Sequence, residues 1–526
     1  GIYNDSSESD ITSNVTWVSS DPTVALINSS GLLEVKQNGT VTVTASLGGV
    51  TSSAVTVTIH ITLASITISP SNTTLIVTNS QQFTAIGTMS DGATLDVTES
   101  VAWNTDPFTK GSVSEKGLFT AKDTSGDVTI SATKDGVTSN SATVTLQLSE
   151  LYVDASFTTE QGDGSKEKPF ASISEAVTQA KVTGASRINV AKGTYTEDLI
   201  IDQNISLYGG YNAAHDGSAW TRDNPVTPSD TVIQAASHTA IIYSDGLTSA
   251  TVLDGFRVIG GNSDTLTGSK GIHCKDSSPT IQNNEIYGGR AVSTSSAIVN
   301  QSSSPNILNN PIISGGLPDG HADGVGGGMD NFAILNQSFS TPIIKGAESI
   351  PNSQGLDSAD TTGINQRITG PAGSSATYRI KNETSSNAVI EGNIIEAGDN
   401  GGILAVSSSP EIKNNVITIS NTGNTAIRGE NTSFKIQSNH IRGGIYITSG
   451  SLDVDISNNH RIYGDITITG ISTGVDIHDH VITDKSYATS NGWTYADHYG
   501  VAKRNVITGS ILFNSHSSGI VKNNSL

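Results

Sequence analysis

The chain has 526 residues and a formal net charge of -21, and only 15% of it is charged, against the roughly 25% usual in soluble domains. So negative a chain repels phosphate backbones and anionic lipid, which argues against nucleic acid and membrane surfaces as partners. No apolar run in it approaches the ~20 residues of a membrane helix.

Ser, Thr, Asn and Gly fill the composition, a mixture that suits strands and tight turns better than helical bundles. Cys274 is the single cysteine, so no internal disulfide can form.

In chain order, the first feature is a duplication. Val15-Thr16-Trp17-Val18-Ser19-Ser20-Asp21-Pro22 matches Val101-Ala102-Trp103-Asn104-Thr105-Asp106-Pro107, and Gly31-Leu32 matches Gly117-Leu118. Gly39-Thr40-Val41-Thr42-Val43-Thr44-Ala45 matches Gly126-Asp127-Val128-Thr129-Ile130-Ser131-Ala132. The offset stays at 86 or 87 residues, which marks an internal repeat. Val and Thr alternate in these segments, the period of a half-buried strand. Trp17 and Trp103 open the repeated core and are expected to plug a small sandwich. The second copy starts near Ser65 with the strand Ile66-Thr67-Ile68-Ser69-Pro70. The first copy has no such opening, so the chain is expected to begin inside a module, with further modules before it.

After Leu148 the pattern changes. Leu151-Tyr152-Val153-Asp154 leads to Pro169-Phe170-Ala171-Ser172-Ile173. Ser172 and Glu175 have capping-box spacing, which predicts a short helix over about Ile173 to Ala180. Such a helix would cover the open end of a stack of coils. Ile188 to Tyr195 and Ile205 to Tyr211 read as the first strands.

Downstream a unit recurs. Ser277-Ser278-Pro279-Thr280-Ile281-Gln282-Asn283-Asn284 returns as Ser303-Ser304-Pro305-Asn306-Ile307-Leu308-Asn309-Asn310. It returns again as Ser408-Ser409-Pro410-Glu411-Ile412-Lys413-Asn414-Asn415. Weaker copies end in Asn393, Asn439, Asn459, Asn505 and Asn524. The steps are 26 residues from Asn284 to Asn310, 22 from Asn393 to Asn415 and 24 from Asn415 to Asn439. That suits one coil of three short strands. An Asn at the same corner of every coil tolerates a left-handed turn and can stack on its neighbours as a ladder of amide hydrogen bonds.

Two resemblances follow from these residues. Residues 1–148 resemble the group 2 bacterial Ig-like domains, through the W-x-S-x-D/N-P, G-L and G-T-x-T-x-T-A signatures. Residues 150–526 resemble the right-handed parallel β-helix proteins of the pectate-lyase-like superfamily. Within it they look most like bacterial surface β-helix proteins that open with Y-V-D, P-F-x-S-I and L-x-G-G-Y. The expected fold is therefore all-β: a partial Ig-like domain over 1–63, a complete one over 64–148, and a right-handed parallel β-helix over 149–526 with a short N-terminal capping helix. Leu317 to Ser386 breaks the coil spacing and is expected to leave the solenoid as an irregular lateral insertion.

The pectin hydrolases of that superfamily carry paired acids before a G-H-G and an R-I-K motif. Arg379-Ile380-Lys381 matches the last and Gly320-His321 half-matches the third, but the acid motifs are missing. Without an acid and a base the hydrolysis has no machinery, and Arg379-Ile380-Lys381 reads as an ordinary strand. Asp254-Gly255-Phe256-Arg257 holds the residue types of a calcium-dependent lyase, yet reads more simply as a corner and a strand. A cation site is conceivable at Asp319, His321 and Asp323 with Asp330 near them, where carboxylates would suit calcium; the plainer reading is a solvated turn, and no other cofactor is expected. Asp476, His478 and His480 share one side of a strand, a spacing that a transition metal would accept; an exposed strand face is the plainer reading.

The functional expectation is a non-catalytic extracellular or cell-surface protein, an adhesin or a surface-layer or filament component. Its Ig-like stalk would present strand faces bearing rows of Thr, Ser and Asn to host or cell-surface glycans or to neighbouring subunits, self-assembly included. The competing expectation is a polysaccharide lyase or hydrolase acting on a cell-wall or host glycan.

Overall fold

A computed structural model describes residues 1–122, 125–158, 161–215, 219–263, 268–291, 294–317, 330–346, 366–369, 378–397, 401–419, 425–433, 435–448, 451, 453–459, 461–463, 466–469, 475–478, 507–508, 511–513 and 519–522. The chain divides into two compact units, Gly1–Leu148 and Ser149–Leu526.

The first unit is antiparallel apart from one parallel strand pair. In its second module, Ala102–Asp106, Gly126–Lys134 and Ala142–Gln147 form a sheet that Asn72–Ile76 extends in parallel. Leu63–Ser69, Thr84–Met89 and Thr94–Asp96 form a second sheet. Alternation places Val128, Ile130, Ala132, Val144 and Leu146 inward, and Ile66, Ile68, Phe83, Ala85 and Phe119 are buried with them. The first module repeats only part of this plan: Thr16–Ser19, Gly39–Leu47 and Val55–Ile59 form its sheet, beside the pair Ala25–Ile27 and Leu33–Val35.

The tryptophans plug the sandwiches only in part: Trp17 packs against the core of the first module and Trp103 lies 6.5 Å from the Phe83 ring. Trp17 and Trp103 are only half-buried. Each indole donates to a backbone carbonyl five residues back, Thr12 O at 3.1 Å and Thr98 O at 3.0 Å. A ring that needs an acceptor for its N–H sits at the rim, and the fully buried rings of the second module are Phe83 and Phe119.

The second unit winds three parallel sheets. Sheet one runs through thirteen successive strands from Glu150–Val153 to Gly519–Lys522, and sheets two and three through eleven each. The helix Ile173–Thr183 lies in the crossover between the first two strands of sheet one, so Glu150–Val153 precedes it rather than follows it. Ser172 caps it as expected, accepting from Glu175 N at 3.2 Å. The other N-terminal donors go to Glu197 of the first coil, which accepts from Ile173 N at 2.9 Å and Ser174 N at 2.7 Å. That carboxylate also suits the positive end of the helix dipole.

Most strands of sheet one are three residues long with an aliphatic residue at the centre. Leu253, Ile281, Ile307, Ile344, Ile390, Ile412, Ile436 and Ile456 are register partners in succession, all with no exposure. This column is the core.

Where sheet one turns into sheet two, the asparagine ladder stands as expected. Asn284 Nδ2 donates to Asn310 Oδ1 at 3.2 Å, and Asn393 to Asn415, Asn415 to Asn439 and Asn439 to Asn459 at 3.0 Å each. Gln366 fills the step between Asn310 and Asn393, accepting from Asn310 Nδ2 at 3.3 Å and donating to Asn393 Oδ1 at 2.8 Å. Asn505 and Asn524 lie outside the described residues. The left-handed corner belongs to the preceding residue: Asn283, Asn309, Asn414 and Asn458 have φ between 51° and 55°. In each Asn-Asn pair one residue turns the chain and the next stacks.

The segment 317–386 is not a single lateral insertion. Asp330–Gln337 and Ile380–Glu383 belong to sheet three, Ile343–Lys345 to sheet one and Arg367–Thr369 to sheet two, all in continuous register with the coils on either side. Residues 318–329, 347–365 and 370–377 of this segment lie outside the described residues. Strands of three or four residues between long connections leave little period for sequence reading to detect.

Candidate functional site

A solenoid can act only through the outward positions of its strands and through its loops. On sheet one the two residues flanking each inward aliphatic residue take the outward positions, although Asp254, Thr280 and Ser457 among them are covered by neighbouring groups. One outward row runs Val252, Thr280, Asn306, Ile343, Val389, Glu411, Lys435, Asp455 and Asp476 in direct register. The row therefore does not repeat Thr, Ser or Asn: Thr280 and Asn306 stand among Val252, Ile343 and Val389, and charged residues follow from Glu411 on, because only inward and corner positions are bound to repeat.

The charged outward side chains are tied to one another, largely between coils. Lys413 reaches Glu391 at 3.7 Å and Glu411 at 3.4 Å, and Gln437 Nε2 donates to Asp455 at 2.8 Å. On sheet two, Arg257 pairs with Glu285 at 2.5 Å and Arg367 with Glu396 at 2.9 Å. On sheet three, Lys381 pairs with Glu383 at 2.6 Å and Arg428 with Glu430 at 2.5 Å. The Glu383 carboxyl is held below its ordinary range, with the contacts to Lys381 and Gln337 outweighing an opposing burial effect.

The first coils carry a denser cluster. Arg187 lies 3.7 Å from the centre of the Tyr208 ring, and Tyr152 packs edge-on against Trp220 at 5.0 Å. His215 Nε2 is 2.9 Å from the buried Asp154 carboxylate. The Y-V-D and L-x-G-G-Y motifs thus build a packed end to the solenoid.

The sequence candidates divide as follows. Asp319, His321 and Asp323 lie outside the described residues. Asp330 opens the strand Asp330–Gln337 as the register partner of Thr294. Asp476 and His478 both lie on Val475–His478, and His480 is outside the described residues. Among the described residues no group of three or more His, Cys, Asp or Glu could hold a metal ion.

Asp254 and Arg257 lie on different sheets, so they do not form one site. Asp254 is occupied by Arg222 at 2.6 Å, Gln282 at 2.7 Å and Asn283 at 3.2 Å, while Phe256 is core. Ile380–Glu383 is an ordinary strand, as the plainer reading has it. Arg379 lies just before the strand and is buried with 3% exposure.

Sequence reading missed a second ladder inside sheet three. Asn300 Nδ2 donates to Asn336 Oδ1 and Asn336 Nδ2 to Asn382 Oδ1, both at 2.8 Å, with all three side chains buried. The signal was present as Ile-x-Asn-Gln/Glu at Ile298, Ile334 and Ile380, but its spacing exceeds the coil period sought.

The chain thus combines antiparallel Ig-like modules with a parallel β-helix. Residues 62–146 match the bacterial Ig-like domain (group 2), and residues 158–374 match a family described as protein of unknown function (DUF1565). Among curated proteins, Ice-binding protein 1 of Shewanella frigidimarina is 36% identical over 146 residues, covering 28% of this chain and 16% of that protein's length. Among solved structures, the tailspike gp49 of Acinetobacter baumannii bacteriophage Fri1, a capsular polysaccharide depolymerase, is 10% identical, covering 74% of this chain and 70% of that one, with a TM-score of 0.26. Domains 1–6 of the surface layer protein SbsC are 18% identical, covering 26% of this chain and 21% of that one, with a TM-score of 0.18.

Proposed function

We propose that this chain is a non-catalytic cell-surface protein that works by contact, as an adhesin or a component of a surface layer or filament, with glycans or neighbouring subunits as its partners. The observation that carries this reading is the state of the outer faces. The ion pairs of Glu391, Glu411, Glu383, Glu430, Glu285 and Glu396 tie these side chains within and between coils, which stiffens a face for docking and leaves these carboxylates poorly placed for proton transfer. A bacterial Ig-like module in the same chain as such a solenoid suits display at a surface. The test is a glycan-array screen of the intact chain, with and without calcium, alongside light scattering over a concentration series. Binding to a glycan class or concentration-dependent assembly supports the reading; release of oligosaccharides from a polysaccharide, with neither of these, overturns it.

One observation favours polysaccharide cleavage as a second reading. Asp455 and Asp476 are register partners on adjacent strands of sheet one. Neighbouring strands lie about 4.8 Å apart, close to the ~5–5.5 Å between the carboxyl groups of retaining glycosidases. Asp476→Asn would abolish reducing-end release if that pair were catalytic and leave glycan binding intact if it were not.

A further inference from the structure

Phe339 is 72% exposed and stands in the left-handed region, with φ 63°. A bulky side chain seldom takes that conformation. It lies at the corner where sheet three turns into sheet one, between Asp330–Gln337 and Ile343–Lys345. Asp276, Ser302, Ser407 and Asn431 turn the same corner in other coils, each as a single left-handed residue before a buried Ser or Thr. Two adjacent coils take one residue more: Ser338-Phe339 and Thr384-Ser385 are left-handed pairs. Their backbones stack, with Phe339 N donating to Thr384 O at 3.0 Å. The second residue of the pair is phenylalanine in one coil and serine in the next, so the corner itself does not need a ring. Strain of this kind is held where it serves a function rather than the fold.

The surroundings of the ring are polar but uncharged. Residues 302–305, 338–343, 384–390 and 407–410, which make this corner in four successive coils, include no Asp, Glu, Lys, Arg or His, in a chain of net charge -21. Ser304 Oγ lies 2.7 Å from Thr341 Oγ1 and accepts from Thr341 N at 3.1 Å, and Asn387 Oδ1 accepts from Ser409 N at 2.7 Å. These bonds run from coil to coil and order the row along the solenoid axis, while Thr341, Asn387 and Ser409 stay exposed. Residues 318–329 and 370–377 join sheet two to sheet three, and 347–365 join sheet one to sheet two. The corner that carries Phe339 is a different one, and all its residues in these four coils are described.

We propose that this corner is a binding edge for a neutral β-linked glycan that lies along the solenoid axis with one pyranose ring stacked on Phe339. The proposal rests on the contact function above and gives it a ligand class and a place. A sugar ring presents an apolar C–H face to an aromatic and hydroxyls at its rim; the edge presents one aromatic ring bounded by hydroxyls and an amide. The rings of an extended β-linked glycan repeat at roughly 5 Å, about the spacing of neighbouring strands, so each coil meets one ring. An uncharged edge on an acidic chain favours a neutral glycan over an acidic one. A protein partner would need more apolar area. Phe339 and the 41% exposed Ile343 offer roughly 200 Å² at most, below the few hundred Å² of an apolar contact patch.

The experiment is calorimetric titration of the full chain, and of Phe339→Ser, Phe339→Trp and Asn387→Ala, with cellohexaose, N-acetylchitohexaose and, as the acidic counterpart, hexagalacturonate. Phe339→Ser gives this coil the residue that Ser385 supplies in the next, so its thermal midpoint should equal or exceed that of the natural chain. The natural chain should bind a neutral oligomer more tightly than the acidic one. Phe339→Ser should weaken that binding by about tenfold and Asn387→Ala by about fivefold, while Phe339→Trp should match or exceed the natural chain. Glycan binding that survives Phe339→Ser unchanged overturns the site and leaves the contact function standing. Self-association in light scattering that Phe339→Ser abolishes, with no glycan bound, makes the ring a subunit contact and overturns the glycan assignment alone. Tighter binding of hexagalacturonate overturns the neutral class. A midpoint of Phe339→Ser far below that of the natural chain makes the ring structural, and the proposal falls. Neither glycan binding nor assembly in the natural chain removes both this proposal and the contact function.

Discussion

Replacing Asn415 by alanine tests the physical basis of the solenoid. The Asn415 side chain makes five hydrogen bonds: Oδ1 accepts from Asn393 N and Nδ2 at 3.0 Å each, and Nδ2 donates to Ile390 O and Lys413 O at 2.8 Å and to Asn439 Oδ1 at 3.0 Å. Truncation removes all five at a position with no access to water. Asn393 Nδ2 keeps two carbonyls, and Asn439 Oδ1 keeps Asn415 N. The damage therefore falls mainly on the Asn393 N–H, since the Lys413 carbonyl keeps Gly392 N at 3.3 Å. At about 1–3 kcal/mol per buried group left unsatisfied, the expected loss is about 1–3 kcal/mol. Asn414 is the control: it holds the left-handed corner at φ 55°, a conformation that glycine adopts at little cost, so Asn414→Gly should lose less than about 1 kcal/mol. Coils of a solenoid unfold semi-independently, so the assay is site-resolved amide hydrogen exchange. Protection of the Asn393 amide should fall by the stated amount, while that of Asn284 changes by less than about 0.5 kcal/mol. A loss below about 1 kcal/mol in Asn415→Ala, or a larger loss in Asn414→Gly, would refute the division of labour between the paired asparagines.

Other outcomes follow from single residues. Burial pushes the Cys274 thiol well above its ordinary value, and likewise the Tyr243 hydroxyl. The unfolded thiol ionises above about pH 8.5 while the folded one stays protonated, so the unfolded state binds fewer protons and stability falls with rising pH, by about 1.4 kcal/mol per pH unit. Urea titrations from pH 7 to 10 should show this fall, and Cys274→Ala should remove the part that sets in between the thiol and tyrosine ranges. Native Cys274 should also resist aromatic disulfide reagents until the protein is denatured. Glu197→Ala should free the Ile173 and Ser174 amides, which Glu197 holds, and destabilise the capping helix by about 1 kcal/mol, seen as faster exchange at those amides alone.

The fold was legible because the corners repeat. Ser-Ser-Pro before a strand and Asn-Asn after it bracket sheet one in coil after coil, and the bracketed isoleucine has to point inward. Legibility failed where a connection lengthened. Gln366 occupies a ladder step but follows the long stretch 347–365, so no periodic cue marked it, and the amide of Gln performs the same exchange as that of Asn. The Ile-x-Asn triplets of sheet three were visible but 36 and 46 residues apart. Arg379 was read as a strand residue through a motif, whereas its burial depends on where sheets two and three meet, which no local pattern encodes. Less of the candidate site was legible, since Asp254 and Arg257 look adjacent in a chain whose corner sends them to different faces.

The contrast between rows bears on how a face of this solenoid can be used. The inward column of sheet one is aliphatic at every step from Leu253 to Ile456, while the outward row beside it runs from Val252 and Ile343 to Glu411, Lys435 and Asp455. A surface that matches a periodic partner by repetition needs the same side chain at each step of about 4.8 Å, and this row does not supply it. Contacts along it would instead be local, with the uncharged stretch up to Val389 and the charged stretch after it suited to chemically different partners. Selection on the ladder would then leave each outward patch free to change separately, which is how one shaft can carry more than one kind of contact.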